Sequence, residues 1–220
     1  MTLIVTSEYA LDRIAAPRLP AAEVEYSQRY QDQFTNILRL YFNRIDDFIA
    51  RLNTAADTAG LRVPYGAFSS NQDQTVTANT ATLMTLNTTD FANGVSIASS
   101  KITVENAGIY NLQWSGQFQN TDNAIQDISV WLRQNGTDIV GSTGLFSIAA
   151  RKSASAGEEA HSLVGWNYFV SLTAGQYIEI YWSATLASVS LQYYAAGTSP
   201  TRPATQSVVA TLSFVSALPA

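Results

Sequence analysis

A helical heptad seam joined to a long run of β sequence constrains this chain most. Between Glu23 and Asn53, the residues Phe34, Leu38, Tyr41, Ile45, Phe48 and Leu52 recur at steps of 4, 3, 4, 3 and 4. That is the a/d spacing of a coiled coil, and a lone helix cannot bury such a seam. Tyr30, Ile37, Leu40 and Ile49 add a second stripe beside it. A stripe this wide suits more than two strands, or a helix packed both on its neighbours and on its own head. The spacing predicts a coiled-coil-like helix over 23–53 that seeks copies of itself. The alternative is a helix laid on the domain that follows.

Residues 1–22 precede it as an arm. Leu3, Ile4, Val5, Tyr9, Leu11 and Ile14 are too apolar for a typical disordered tail. Pro17 and Pro20 interrupt any helix before the seam. The arm is expected to dock on another protein. Residues 54–63 form a connector, with Gly60 as a stop signal.

The head, 64–220, breaks into ten or so short strands separated by turn signals. Tyr110, Leu112, Trp114, Gly116 and Phe118 alternate onto one face of one strand, as do Ile178, Ile180 and Trp182 on another. Turns are marked by Asn93-Gly94, Asn135-Gly136 and Ala174-Gly175. The predicted fold class is mainly β, a ten-strand antiparallel jelly-roll sandwich behind an arm and a helix.

Composition narrows the function classes. Apolar residues make up 46% of the chain and charged residues 13%, about half the usual charged share. The net charge is −5, with 6 basic and 8 acidic residues up to position 60, and 6 and 9 after it. Neither part is basic, so no nucleic-acid partner is expected. There is no Cys, hence no disulfide or thiolate metal site. The N-terminus does not read as a signal peptide and no stretch reads as a membrane span. Synthesis in a cytoplasm is the expectation.

Chemistry is sparse in the sequence. His161 is the single histidine and would have to serve any triad. Glu158-Glu159 point to opposite sides of a strand, which is poor for glycosidase work. Asp122-Asn123 with Asp127 form a loop that could take calcium, against the plainer reading of a turn. No catalytic residue, no cofactor and no metal site is assigned. Tyr193 and Tyr194 are the aromatic pair expected to put one ring outside the core, beside the loop carrying Arg202. These three are the candidate contacts for a surface ligand such as a host glycan.

Several motifs carry a resemblance. Tyr65-Gly66-Ala67-Phe68-Ser69, Gly108-Ile109-Tyr110-Asn111-Leu112-Gln113-Trp114, the strand before Asn135-Gly136, Leu172-Thr173-Ala174-Gly175-Gln176 and Ala210-Thr211-Leu212-Ser213-Phe214 are similar, in order and spacing, to the globular head of the first complement component. Gln176 replaces that family's usual acid. The resemblance implies the superfold shared with tumour necrosis factor, a jelly roll that trimerises. The run Tyr30, Gln33, Phe34, Asn36, Leu38 to Asn43 and Asp46 resembles the helix of small virion proteins of tailed bacteriophages, notably cyanophages. It implies a non-enzymatic homotrimeric fibre or decoration knob, located in the virion and held to capsid, neck or tail by residues 1–22. The alternatives are a secreted-type ligand-binding head and a polysaccharide-degrading tailspike.

Overall fold

In the computed structural model, the Ser27 hydroxyl accepts a hydrogen bond from the Tyr30 amide at 3.2 Å, and the Ser27 carbonyl accepts one from the Gln31 amide at 3.1 Å. This is an N-cap geometry, and the described part of helix α1 runs Gln28–Thr54; residues 23–26 of the expected helix lie outside the described residues. The structure describes residues 17–20, 27–54, 63–153, 155 and 157–218, and for 50–54 the helical backbone alone. The arm residues Leu3, Ile4, Val5, Tyr9, Leu11 and Ile14 and the connector 55–62 therefore lie outside the described residues. So does the side chain of Leu52. The chain divides into two units, Met1–Arg62 and Val63–Ala220.

The helix runs about 40 Å at 1.5 Å per residue. No side chain from Gln28 to Ile49 is buried. Those of intermediate exposure are Tyr30, Phe34, Ile37, Leu38, Tyr41, Ile45 and Phe48, which is the seam and its flank. Tyr30 and Phe34 stack with ring centroids 6.1 Å apart. Leu40, Phe42 and Ile49 are exposed.

The second unit contains β1 (Tyr65–Ser70), β2 (Gln74–Thr75), β3 (Thr82–Leu83), β4 (Thr88–Asn93), β5 (Val95–Ala98) and β6 (Lys101–Val104). Then come β7 (Gly108–Asn120), β8 (Gln126–Gln134), β9 (Thr137–Asp138), β10 (Gly144–Ile148) and β11 (Ala160–Leu172). β12 (Tyr177–Ala184), β13 (Val189–Leu191), β14 (Gly197–Thr198), β15 (Thr201–Arg202) and β16 (Val208–Ser216) complete it. All ladders are antiparallel.

Four pairings are nested in sequence: β1 with β16, β6 with β12, β7 with β11, and β8 with β10. Nested pairs that fall alternately into two sheets are the wrap of a jelly roll. One sheet, here sheet A, runs β4-β1-β16-β7-β11. β13 takes the place of β16 at the far end of β7 and is extended by β2. Sheet B runs β10-β8-β12-β6-β5, with β3 on β12 and β9 on β8. The sheets have seven strands each; short pieces such as β2, β3 and β9 exceed the ten-strand expectation. Between β9 and β10 the ladder is interrupted, because the Ser142 hydroxyl binds the Ile139 carbonyl and the Leu132 amide and folds 139–143 into a turn.

The core lies between the sheets. Phe68, Tyr110, Leu112 and Phe118 from sheet A meet Ile102, Ile128, Ile178 and Trp182 from sheet B. Phe118 and Trp182 touch edge to face, centroids 5.7 Å apart. The alternation read in β7 and β12 is the observed burial. Asn135 and Gly136 both have positive φ (50° and 81°), the two-residue turn that joins β8 to β9.

Candidate functional site

The outward face of sheet A carries the first feature that sequence reasoning missed. On β11, even-numbered residues follow the core, so Leu163, Asn167 and Phe169 point outward. Leu163 is 71% exposed and Phe169 56%. At the opposite edge Tyr65 and Phe91 are exposed and in contact, centroids 6.0 Å apart. The register places Phe169 opposite Asn111, Asn111 opposite Ser213, and Ser213 opposite Tyr65. One row thus crosses four strands, apolar at both ends and polar between. The middle of the face is uncharged: Asn111, Gln113, Ser115, Thr211 and Ser213, with Asn167 donating to Asn111 at 3.1 Å. Leu145, on the neighbouring edge strand β10, is 78% exposed. The signal available in sequence was β11 itself, where both parities are apolar (Leu163 and Val164, Tyr168 and Phe169). A strand apolar on both sides reads as one covered on both sides.

Tyr193, Tyr194 and Arg202 fall together but not as an open pair of rings. Tyr194 leaves the ladder after β13 and lies toward sheet A's outer face. Its hydroxyl binds Gln119 Oε1 at 2.7 Å and approaches His161 Nδ1 at 3.2 Å. Burial, then the nearby Glu159 and Asp73 charges, raise its pKa. The Tyr193 amide donates to Asp73 at 2.8 Å. Both rings are half-buried, so Tyr194 is a fastened side chain rather than a free platform. Arg202 is on the exposed β14–β15 hairpin, held loosely by the Ala195 carbonyl at 3.4 Å. His161 has Tyr194 as its neighbour and no nucleophile within the contacts of this cluster.

The loop carboxylates are spent within the fold. Asp122 accepts from the Asn123 amide and from Gln126 Nε2, both at 2.7 Å, and Asp127 accepts from Ser147. Among the described residues no group of three or more His, Asp or Glu could hold a metal. Gln176, in place of an acid, accepts from the Thr173 amide at 2.9 Å and Gln134 at 3.0 Å, closing the turn before β12. Among the described residues no helix is long and apolar enough to cross a membrane.

Sheet B's outer face gathers the remaining aromatics. Trp131 and Tyr181 are opposite in register with centroids 6.0 Å apart. Trp131 Nε1 (2.8 Å) and Arg133 Nε (2.5 Å) both donate to Asp138 Oδ1. Arg133 lies 3.9 Å over the Tyr181 ring. The hydrogen bond from Arg133, then that from Trp131, lowers the Asp138 pKa from its ordinary 3.8.

No family model and no curated protein matches this sequence. Among solved structures, the chain is similar to the globular domain of the zebrafish complement 1qA protein. The match has 11% identity and a TM-score of 0.41, over 71% of this chain and all of that one.

Proposed function

We propose that the chain is a non-enzymatic, homotrimeric knob of a tailed-phage particle. Residues 1–22 attach it to capsid, neck or tail, the helix trimerises, and the head is presented to the host surface. The reading rests on one observation: among the described residues, each unit carries apolar side chains that stay exposed or half-exposed. In the helix these form the seam from Tyr30 to Phe48, where no side chain is buried. In the head they form the pair of unlike patches at the two edges of sheet A, Leu163 with Phe169 and Tyr65 with Phe91. Exposed patches of this kind mark interaction sites. Two unlike patches on opposite edges of one face suit a heterologous contact, which closes into a ring when the rotation allows it. The phage assignment is supported by the resemblance of the helix alone.

Light scattering on the purified protein tests the assembly. A mass near three times 23.9 kDa is expected, and a monomer would overturn the trimer. Deleting residues 1–20 tests the anchor: the variant should keep its oligomeric mass yet fail to join virions. Normal incorporation would sink the anchoring role.

A further inference from the structure

Helix α1 keeps apolar side chains beside its seam as well as in it. With Leu38 and Ile45 at a and Tyr41 and Phe48 at d, the heptad places Ile37 and Arg44 at g. It places Phe42 and Ile49 at e, where they are 56% and 46% exposed. Asp46 stands at b, four residues after Phe42 and three before Ile49, so it flanks both on the same side of the helix. Arg44 and Asp46 are exposed, and among the described residues the one ion pair is Arg133 with Asp138. Residues two apart on a helix do not face each other, so Arg44 and Asp46 cannot serve one another within a chain. Between parallel helices in register, a g residue faces the e residue of the neighbour five positions on. Ile37 then covers Phe42 of the neighbouring copy, and Arg44 lays its methylene stem along that copy's Ile49. The guanidinium is left beside Asp46, the carboxylate that flanks Ile49. Antiparallel helices set e against e and g against g, which takes Arg44 away from the flank that carries Asp46.

We infer that α1 packs against second copies of itself in parallel and in register, with each Arg44 bridging to Asp46 of its neighbour. The occupant of the exposed e flank is a second copy of this chain, selected by charge complementarity across g and b as well as by heptad spacing. Exposed ion pairs add little strength. The bridge therefore sets orientation and register, while the apolar seam supplies the affinity. This arrangement deepens the helix-driven assembly proposed above and rests on it.

The chain has no Cys, so a single introduced thiol can pair only with its counterpart in another copy. Leu38→Cys and Ile45→Cys, made separately in the full chain and oxidised, should each give a cross-linked dimer on a denaturing gel. Copies in register bring every a position to itself. In an antiparallel pair, at least one of these two thiols would be offset from its counterpart by about 10 Å along the axis, beyond disulfide reach. Arg44→Glu should move dissociation, read by sedimentation across a dilution series, to about threefold higher protein concentration or more. Adding Asp46→Arg should return it to within about twofold of the parent. Light scattering of the reduced single-Cys proteins separates the two levels of the reading. An oligomer that cross-links at one position or at neither would overturn the parallel register and leave assembly standing, whereas a monomer would overturn both. No weakening by Arg44→Glu, or no rescue by Asp46→Arg, would overturn the bridge.

Discussion

Trp166 on β11 packs its indole onto the backbone of Gly144 on β10, so the edge strands of the two sheets lock together at one point. A β-carbon at position 144 would overlap the Cζ3 and Cε3 atoms of the ring. Gly144 is thus a space requirement, set by an aromatic that belongs to the core side of β11 yet stands at its rim. Gly144→Val should force the indole outward. Overpacking of this kind costs about 1–3 kcal/mol. For a protein of this size that is a fall in melting temperature of roughly 2–12 °C. Thermal unfolding followed by circular dichroism measures it. Adding Trp166→Leu should recover part of the loss, since it empties the contested space. No loss from Gly144→Val alone would mean the two edges are not locked there.

The helix makes a separable prediction. Replacing Phe34, Tyr41 and Phe48 with Asp would set three carboxylates per chain along the seam, each costing several kcal/mol if buried. The protein should then sediment as monomers or aggregate, while the far-ultraviolet β signature of the head is kept. An intact trimer after that change would assign assembly to the head alone.

Legibility followed locality. The alternation of β7 and β12 was readable because each strand holds one face in the core, so period 2 is printed in its residues. Asn135-Gly136 was readable because a two-residue turn with positive φ leaves few choices of residue. β4 was not: Thr88–Asn93 reads as a polar turn, and it is a strand because it pairs with β1 at a sheet edge, where little of it needs burial. Tyr193 and Tyr194 were read as consecutive strand residues, but the strand ends at Leu191, so the parity argument did not apply.

The sheet A patches give a test that leaves the helix untouched. Leu163→Lys with Phe169→Lys would set charge where a ring-closing contact needs apolar surface. A residue at the centre of an interface costs about 1.4 kcal/mol or more when its contact is lost, a tenfold weakening, and the paired change is expected to reach at least that. Trimers should dissociate at protein concentrations at least tenfold higher than for the parent, read by sedimentation across a dilution series. The same pair placed at Leu145 and Val140, off the sheet A face, should weaken assembly less. Equal effects would mean that the face is not the contact.

Acid should release the Trp131 cluster at a pH set by Asp138. The carboxyl is exposed, and the bond from Arg133, followed by that from Trp131, holds its pKa below 3.8. A depressed folded pKa contributes stability above the unfolded value and loses it as pH falls through the folded value. The Trp131–Asp138 bond should therefore persist through pH 4 and be lost only below 3.8. Carbon-detected NMR of the Asp138 carboxyl follows the titration directly. Arg133→Gln removes the principal cause and should move the midpoint back toward 3.8, with indole exposure rising at the same pH. An unshifted midpoint in the parent protein would mean that the Arg133–Asp138 bond is not kept in solution.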